Sequence, residues 1–198
     1  MTLPHCRLRR RRPLALGALR DAVDGGPPRL PTEVSLLDDG ERLVVTAVAA
    51  DPQPWATIAN RDGDLWTEEV IEVFLAPGEA TPRHYFEFEI NPLGTLFDAA
   101  VDCPHGDRRE LAVDRAWSCD GLAGRVEIDS ARSLWRAELA IPWASLAAGG
   151  ADGVWRLNVY RIDRPAGGEP EFSAWSPTGV RPADFHRPAR FGFLVRVG

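Results

Sequence analysis

Two glutamates and an amide alternate with apolar residues near the middle of the chain. Successive side chains of a β-strand point to opposite faces, so the strand predicted over residues 85–91 has a polar and an apolar side. The polar side carries Tyr85, Glu87, Glu89 and Asn91. The side that we expect to be buried carries Phe86, Phe88 and Ile90. The carboxylates and the amide offer hydrogen-bond acceptors to a ligand that is rich in hydroxyl groups.

Glu72 adds a third carboxylate on the strand predicted over residues 69–75. Alternation puts Glu72 on the same side as Val70 and Phe74, so its carboxylate lies on an otherwise apolar face. A carboxylate in such a place needs a partner, because an unpaired buried charge is costly. The two partners that we consider are a sugar diol and the guanidinium of Arg161.

Arg161 and Asn158 both lie on the strand predicted over residues 154–162. They are three positions apart, so they fall on opposite faces and only one of them can line the same groove as Glu72. We favour Arg161, because a guanidinium can donate hydrogen bonds to a carboxylate or to a sugar oxygen.

The same glutamates allow a catalytic alternative. Glycoside hydrolases use two carboxyl groups about 5–5.5 Å apart for retention or about 6.5–9.5 Å apart for inversion. Glu87 and Glu89 are two residues apart on one strand, which separates their Cα atoms by about 6.6–7 Å, and Glu72 could act with either. The sequence contains no glycosidase signature, GxSxG motif, phosphate loop or zinc-ligand spacing, which favours binding over catalysis.

Short strands separated by turns account for most of the chain after residue 32. We predict strands over residues 33–37, 43–49, 69–75, 85–91, 95–101, 112–119, 124–128, 134–141, 154–162, 171–175 and 191–197. Asp39 and Gly40 form a strong hairpin signal, and the one predicted helical turn covers residues 142–146. The pattern predicts an all-β fold with very little helix, an antiparallel two-sheet β-sandwich of the jelly-roll or immunoglobulin-like kind.

Composition and charge limit the classes of partner. The 198 residues fit one domain and carry a net charge of −6. Residues 1–30 are rich in Arg and Pro and are expected to be flexible, with the sandwich domain over residues 31–198. Because five of the arginines lie within residues 7–12, the rest of the chain is more acidic still, and we expect binding to neither nucleic acid nor membranes.

Localisation rests on the absence of targeting signals in the sequence. No apolar run approaches the about 20 residues that span a bilayer, and the run at residues 14–19 falls short of the about 7–15 residues of a signal-peptide core. The sequence as it stands therefore predicts a cytoplasmic protein, and a start further upstream would make it secreted. Cys6, Cys103 and Cys119 are expected as free thiols, with a Cys103–Cys119 disulfide as the alternative.

Calcium is the one cation that the sequence suggests. Asp62 and Asp64 flank Gly63 in a turn, and Glu68 follows closely. Oxygen clusters of this kind can hold calcium, although an ordinary turn is the alternative. No other cofactor is expected.

Six blocks of residues, in order along residues 33–197, resemble the family 9 carbohydrate-binding modules. The blocks are LW (65–66) with EVFL (72–75), YFEFEINPLG (85–94), WRAELAIPW (135–143), WRLNVYR (155–161), AWSPT (174–178), and FHRP (185–188) with RFG (190–192). The resemblance implies a β-sandwich related to the heme- and sugar-binding DOMON domains.

The resemblance also implies a site for the reducing end of a sugar chain, held between two tryptophans with the help of a carboxylate and amides. Trp66 matches the first tryptophan, Glu72 the carboxylate and Asn91 an amide. Trp175 is the candidate for the second tryptophan. Glu89 stands where the family has an arginine, so a hydrogen-bond donor has become an acceptor.

The leading interpretation is therefore non-catalytic binding of a mono- or oligosaccharide. We expect two tryptophans to flank one groove, with a glutamate at its floor and the amide-bearing strand beside it. The predicted contact residues are Trp66, Glu72, Glu89, Asn91, Arg161 and Trp175. The alternatives are a β-sandwich glycoside hydrolase and an interaction module that has lost sugar binding.

Overall fold

Alternating side chains and frequent turns give fourteen β-strands within the part of the chain that the structure describes. The computed structural model describes residues 2–146, 153–165 and 168–197. In chain order the strands are β1 (His5–Arg9), β2 (Leu14–Ala18), β3 (Arg20–Asp21), β4 (Thr32–Asp38), β5 (Arg42–Ala50), β6 (Val70–Pro77), β7 (His84–Ile90), β8 (Leu96–Asp102), β9 (Ala112–Asp114), β10 (Ala123–Asp129), β11 (Leu134–Pro142), β12 (Gly153–Asp163), β13 (Glu171–Ala174) and β14 (Gly192–Val197).

Helix is confined to short turns among the described residues. Three 3-10 turns cover Leu65–Thr67, Trp143–Ser145 and Pro188–Arg190, and none is long and apolar enough to cross a membrane. Strand accounts for 48% and helix for 5%, which confirms the prediction of an all-β fold.

The strands form two sheets packed face to face. The larger sheet has the order β1-β14-β12-β6-β7-β8-β9, with β13 beside β12 and β3 beside β13. The smaller sheet has the order β10-β11-β5-β4-β2. Neighbouring strands are antiparallel except for β1 and β14, which run parallel. The predicted two-sheet sandwich is confirmed.

Side chains from both sheets fill the space between them. Phe88 and Ile90 are buried there as predicted, together with Leu139, Ile141, Leu157, Val159, Trp135, Trp143 and Trp155. Phe86, at the beginning of β7, is only partly buried, because it lies at the margin of this core and stacks on Trp117 at 4.7 Å between ring centroids. The alternation predicted for β7 is therefore correct.

A second apolar cluster covers the outer face of the larger sheet. Val70 and Phe74 of β6, Tyr85 of β7 and Tyr160 of β12 belong to it. Loop residues close over these side chains, and Phe185 stacks on Tyr160 at 4.1 Å between ring centroids. This sheet is therefore buried on both faces, so its outer face can carry an enclosed site.

Residues 2–30, for which the sequence predicts a flexible segment, contain three β-strands. They contribute β1 to the edge of the larger sheet, β2 to the edge of the smaller sheet and the short β3. Leu8 and Leu19 anchor this segment, because both are completely buried in the core between the sheets. Exposed Arg7 and Arg9 flank the buried Leu8, so β1 does alternate. The run of arginines made this alternation difficult to recognise in the sequence.

Two smaller predictions are settled by the same structure. Cys6, Cys103 and Cys119 are free thiols, as expected. The strand predicted over residues 112–119 is limited to Ala112–Asp114, because the chain turns away there and only three residues pair with β8.

Candidate functional site

A cavity of about 330 Å³ opens on the outer face of the larger sheet. Its apolar wall consists of Trp66, Phe97, Leu111, Val113, Ile162, Phe172, Ala183 and Phe185. Its polar lining consists of Glu72, Glu87, Arg108, Arg115, Arg164 and His186. The cavity thus combines aromatic surface with charged hydrogen-bonding groups, as binding sites for small molecules do.

Three buried glutamates form the base of this cavity. Glu72 of β6 is directly opposite Glu89 of β7, and Glu87 lies two residues before Glu89 on the same face. At least one carboxylate oxygen from each lies within 4.8 Å of the others. Glu72 and Glu87 line the cavity, whereas Glu89 is 0% exposed and does not belong to the lining. The three are called the glutamate triad below.

The electrostatics of the glutamate triad favour protonation. Burial raises the pKa of Glu72 and Glu89 well above the ordinary range, and the neighbouring carboxylates raise both further. Burial also raises the pKa of Glu87, to about 7. These groups interact, so the triad retains protons at a pH at which an exposed glutamate has lost them.

Trp66 forms one wall of the cavity and is half-buried. It is the middle residue of the first 3-10 turn, and its ring meets that of Phe97 edge-on at 5.5 Å between centroids. The guanidinium carbon of Arg115 lies 4.9 Å from the Trp66 ring centroid, and Arg115 is also paired with Asp64 at 2.9 Å. One part of the ring is thus engaged by a cation, while the rest faces the cavity.

The other two arginines of the cavity, Arg108 and Arg164, are positioned by contacts with residues outside the glutamate triad. Arg108 Nε donates to Asp184 at 2.9 Å, and Arg164 donates to the carbonyl of Trp66 at 3.3 Å while its guanidinium carbon lies 5.6 Å from the Phe172 ring centroid. The positive charges of Arg108 and Arg164 act on the pKa of Glu72 in the lowering direction and so oppose the effect of burial.

His186 is a buried neutral side chain at the edge of the cavity. Its Nδ1 lies 2.5 Å from the hydroxyl of Tyr85. Burial, together with the charge of Arg108, lowers the pKa of His186 to about 4. The ring is therefore uncharged at neutral pH and helps to shape the cavity wall.

Arg161, one of the predicted contact residues, lies on the opposite face of the larger sheet. The register pairs Tyr160 with Glu72 and Arg161 with Ile71, so Arg161 points away from the cavity. Its guanidinium is 2.9 Å from Asp51 and 3.5 Å from Asp163 and is 1% exposed. The prediction that Arg161 lines the same groove as Glu72 is wrong. Alternation shows that neighbouring residues of β12 lie on opposite faces, but it does not show which of them share a face with Glu72.

Trp175 does not lie at the cavity. It follows β13 and packs against the core between the sheets, on the other side of the larger sheet from Trp66. Its ring lies so close to Gly192 that a Cβ added there would be 2.5 Å from a ring carbon. The expected pair of tryptophans around one groove is not formed by Trp66 and Trp175.

Asn91, one of the predicted contact residues, has a structural role in the turn that follows β7. Its side chain donates to the carbonyl of Ile58 at 2.8 Å and accepts from the amides of Leu93 and Thr95 at 3.1 and 3.0 Å. These bonds hold the turn between β7 and β8. Asn91 is fully buried and, like Glu89, is absent from the cavity lining.

The predicted calcium turn does not gather its carboxylates around one point. Asp62 accepts from the amide of Asp98 at 3.3 Å, and Asp64 pairs with Arg115. Glu68 accepts hydrogen bonds from the amides of Thr57 and Ile58. The three carboxylates of this turn thus have protein partners of their own.

A second acidic cluster lies where β6 begins and β12 ends, beside the residue that follows β5 of the smaller sheet. Asp51, Glu69 and Asp163 have carboxylate oxygens within 4.8 Å of one another, and Arg161 occupies their midst. Burial and the neighbouring Asp51 raise the pKa of Glu69 to about 8. This cluster is partly neutralised by Arg161, whereas the glutamate triad contains no arginine among its described hydrogen bonds and ion pairs.

The geometry of the glutamate triad agrees with the hydrolase alternative in its carboxylate spacing but not in the position of Glu89. Carboxylate oxygens of the triad approach within 4.8 Å, which is near the about 5–5.5 Å spacing of retaining enzymes and well below that of inverting ones. Glu72 and Glu87 line the cavity, so only this pair could meet a substrate there. Glu89, named in the alternative pair, does not reach the cavity.

Several lining residues escaped the sequence analysis. Arg164 follows Tyr160 and Ile162 at intervals of two residues, which predicts the same face for all three. Phe97 is directly opposite Glu89 in the β7–β8 pair. Strand parity combined with the hairpin register could have found these two. Arg108 and Arg115 lie outside the strands and give no periodic signal.

Known proteins with similar sequences or similar folds were found for this chain. A curated relative from Arthroderma benhamiae, named "Extracellular protein", is 29% identical over 142 residues, which cover 68% of this chain. The match spans 63% of that relative, less than two thirds of its length. A solved structure of a candidate carbohydrate-binding protein from Bacteroides uniformis is 19% identical, with a TM-score of 0.71 over 91% of this chain and 85% of that one.

Solved family 9 modules have the same fold. A module from Caldicellulosiruptor kristjanssonii, solved in complex with cellotriose, gives a TM-score of 0.62 at 12% identity over 98% of this chain and 94% of its own. Its complex with glucose gives 0.61 at 12% identity over 98% and 96%. The family model described as carbohydrate-binding family 9 matches residues 42–195. Because that match covers well over half of the sequence, the chain belongs to carbohydrate-binding family 9.

Proposed function

We propose that this protein binds a carbohydrate in the cavity beside Trp66, with Glu72 and Glu87 as hydrogen-bond acceptors at its base. The observation that carries the proposal is the meeting of one half-buried tryptophan and two buried carboxylates in a cavity of about 330 Å³. Aromatic rings stack on the C–H faces of sugars, and carboxylates accept hydrogen bonds from sugar hydroxyls. Membership of family 9 supports the same function.

The size of the cavity favours a short ligand. Small-molecule sites have volumes of about 300–1,000 Å³, and this cavity lies at the lower end of that range. One or two sugar rings fit such a volume better than a long chain. The family 9 module of known structure that was solved with glucose and with cellotriose makes these two sugars the first probes.

The arginines give the cavity a second set of contacts. Arg108, Arg115 and Arg164 present guanidinium groups that can donate to ring and hydroxyl oxygens. They take the place that the sequence analysis gave to Arg161. The contact residues that we propose are Trp66, Glu72 and Glu87 with these three arginines.

Calorimetric titration of the purified chain with glucose, cellobiose and cellotriose tests the proposal. Trp66→Ala and Glu72→Gln should each weaken binding by more than about tenfold, because each removes a contact at the centre of the site. Glu127→Gln is the matched control, since Glu127 is exposed on β10 of the other sheet and should leave binding unchanged. Equal affinities for all four proteins would contradict the proposed site.

Selectivity for the reducing end is a finer part of the proposal and needs its own experiment. Cellotriose reduced with borohydride has the same length but an open-chain alditol at one end. A site that closes around the reducing end should bind the reduced sugar at least about tenfold more weakly, because the terminal ring is lost. Equal binding of the two would mean that the cavity recognises another part of the chain.

The setting of the protein is part of the same proposal. The sequence as it stands predicts a cytoplasmic protein, whereas the Arthroderma benhamiae relative is named as extracellular. We infer that binding takes place outside the cell. Detection of the native protein in the culture medium, against a cytoplasmic marker protein, tests this inference, and retention with that marker contradicts it.

A further inference from the structure

The charged groups that line the cavity differ in their depth. Glu72 and Glu87 are buried, so their carboxyl groups lie at its base. The side chains of Arg108 and Arg115 are 61% and 45% exposed, so their guanidinium groups lie nearer to its mouth. A ligand in this cavity therefore meets carboxyl groups at one end and positive charge at the other.

Two of the cavity arginines are incompletely balanced by acidic partners. Nε of Arg108 lies 2.9 Å from Asp184, but Nε of Arg187 lies 3.0 Å from the same carboxylate, which is therefore shared. Arg164 has no carboxylate partner among the described ion pairs. It donates to the carbonyl of Trp66 at 3.3 Å, and its buried Nε has no hydrogen-bond partner in the described part of the chain. Because a guanidinium has five N–H donors and buried ones are normally satisfied, Arg164 has donors left for a ligand.

Arg115 adds positive charge to the aromatic wall. Its guanidinium carbon lies 4.9 Å from the ring centroid of Trp66 and 5.7 Å from that of Phe97. Its acidic partner, Asp64, is 55% exposed, so solvent weakens that ion pair. A guanidinium that lies over a ring can still donate hydrogen bonds from its edge to a carboxylate.

The base of the cavity carries less negative charge than its glutamates suggest. Burial raises the pKa of both Glu87 and Glu89, and the hydrogen bond that Glu89 donates to Glu87 raises the pKa of Glu89 further. Burial also raises the pKa of Glu72 well above the ordinary range. A protonated carboxyl group still donates and accepts hydrogen bonds, but it does not repel an anion.

We propose that the cavity binds an acidic sugar of the uronic acid class, with its hydroxyl groups at Glu72 and Glu87 and its carboxylate at the arginines. This inference rests on the proposed function and names the class of sugar within it. A uronic acid carries ring hydroxyl groups at one end and a carboxylate on C5 at the other, as the two ends of the cavity require. The planar fork of an arginine also matches a carboxylate, with which it forms charge-assisted hydrogen bonds.

Calorimetric titration with three sugars of the same ring tests the role of the carboxylate. D-Glucuronate is an anion, whereas D-glucose and D-glucuronamide are neutral. At pH 6, where most Glu87 carries a proton, wild type should bind glucuronate at least about tenfold more tightly than either neutral sugar. This preference should decrease as NaCl is raised from about 0.05 M to about 0.5 M, because salt screens the partly exposed arginines. Equal affinities for the three sugars would overturn the inference.

Arg164→Gln tests whether the arginines receive the carboxylate. The change removes the positive charge but keeps a long polar side chain, so the ratio of glucuronate affinity to glucose affinity should fall at least about fivefold. Arg108→Gln, at the more exposed mouth, is a second variant with the same expected result. Arg136→Gln is the matched control, because Arg136 is exposed on β11 of the other sheet and should leave the ratio unchanged. An unchanged ratio in both cavity variants would overturn the inference.

The same titrations distinguish this inference from the proposed function. Binding of glucose or cellotriose without a preference for glucuronate would contradict the acidic ligand and leave the proposed function in place. Absence of binding by all of these sugars at millimolar concentration would contradict both. Binding of glucuronate that is lost in Trp66→Ala would support both, because the acidic sugar would then occupy the cavity beside Trp66.

Discussion

Glu72 and Glu89 are directly opposite each other on neighbouring antiparallel strands and are 2% and 0% exposed, and Glu72 lines an aromatic cavity. Like charges in such a pair destabilise a sheet, so a sequence that retains both needs protons, a cation or a ligand there. This relationship links the stability of the protein to its binding site.

The pH dependence of stability should reveal the buried glutamates. The pKa of Glu89 is raised in the folded state, so folded protein keeps a proton that unfolded protein releases above about pH 4.5. Stability should therefore fall as the pH rises from 4.5 towards the folded-state pKa. In the presence of a chelator, Glu89→Gln should be more stable than wild type at pH 8 and equally stable at pH 4.

Chemical unfolding at several pH values measures this effect. Glu127→Gln serves as the control, because Glu127 is exposed and its replacement should follow the wild-type curve. If Glu89→Gln is less stable than wild type at pH 8, the carboxylate at position 89 is ionised and well partnered in the folded protein, contrary to the geometry.

His186 should produce the opposite dependence at lower pH. Its pKa falls from 6.5 to about 4 on folding, so the unfolded chain takes up a proton first as the pH drops. This group alone should reduce the free energy of unfolding by about 3 kcal/mol between pH 6.5 and pH 4. His186→Asn should lose that part of the dependence. A wild-type curve and a variant curve that run parallel over this range would mean that folding does not lower the pKa of His186.

Phe88 tests the inner face of β7. It is completely buried between the sheets, so Phe88→Ala should lower the free energy of unfolding by about 3–5 kcal/mol through lost burial and a residual cavity. Urea unfolding provides the measurement. A loss below about 1 kcal/mol would place Phe88 on the outer face and exchange the two sides of the strand.

Much of this fold is predictable from alternation because inward and outward residues differ so clearly. β4, β5, β6, β7, β11 and β12 match the predicted strands within one or two residues at each end. The hairpin at Asp39 and Gly40 joins β4 and β5 as expected. β1, β2 and β3 were not predicted; in β1 the arginines mask the alternation, and the parallel pairing with β14 leaves no local signal.

The site is less predictable than the fold because it depends on which strands become neighbours. Trp66 and Glu72 lie together at the cavity, as the sequence analysis expects. Arg161 is on the wrong face because the register between β6 and β12 decides its direction, and one sequence does not contain that register. Trp175 is far from Trp66 because the loop after β13 turns its ring towards the core.

Arg161 should be structural rather than a sugar contact. It lies between Asp51 and Asp163, so Arg161→Ala should cost about 3–5 kcal/mol by leaving buried carboxylates unpaired. Arg136→Ala is the control, because the pair of Arg136 with Glu138 is exposed and should contribute less than about 1 kcal/mol. If Arg161→Ala keeps its stability but loses sugar affinity, the original assignment of Arg161 was right.

The catalytic alternative predicts turnover that the binding interpretation does not. Glu72 and Glu87 are the only pair of the triad that faces the cavity, so Glu87→Gln should abolish any hydrolysis. We expect no release of reducing sugar from xylan, cellulose or chitin fragments by the wild-type chain. Release that stops in Glu87→Gln would make the protein a hydrolase.

The most direct test of the central claim is to observe the tryptophans while the sugar binds. The chain has seven, and each indole N–H gives its own signal in a ¹H–¹⁵N spectrum that single Trp→Phe variants assign. Titration with cellotriose should shift the Trp66 signal and leave that of Trp175 in place. A shift of Trp175 with Trp66 unchanged, or no shift of any indole at millimolar sugar, would contradict the account.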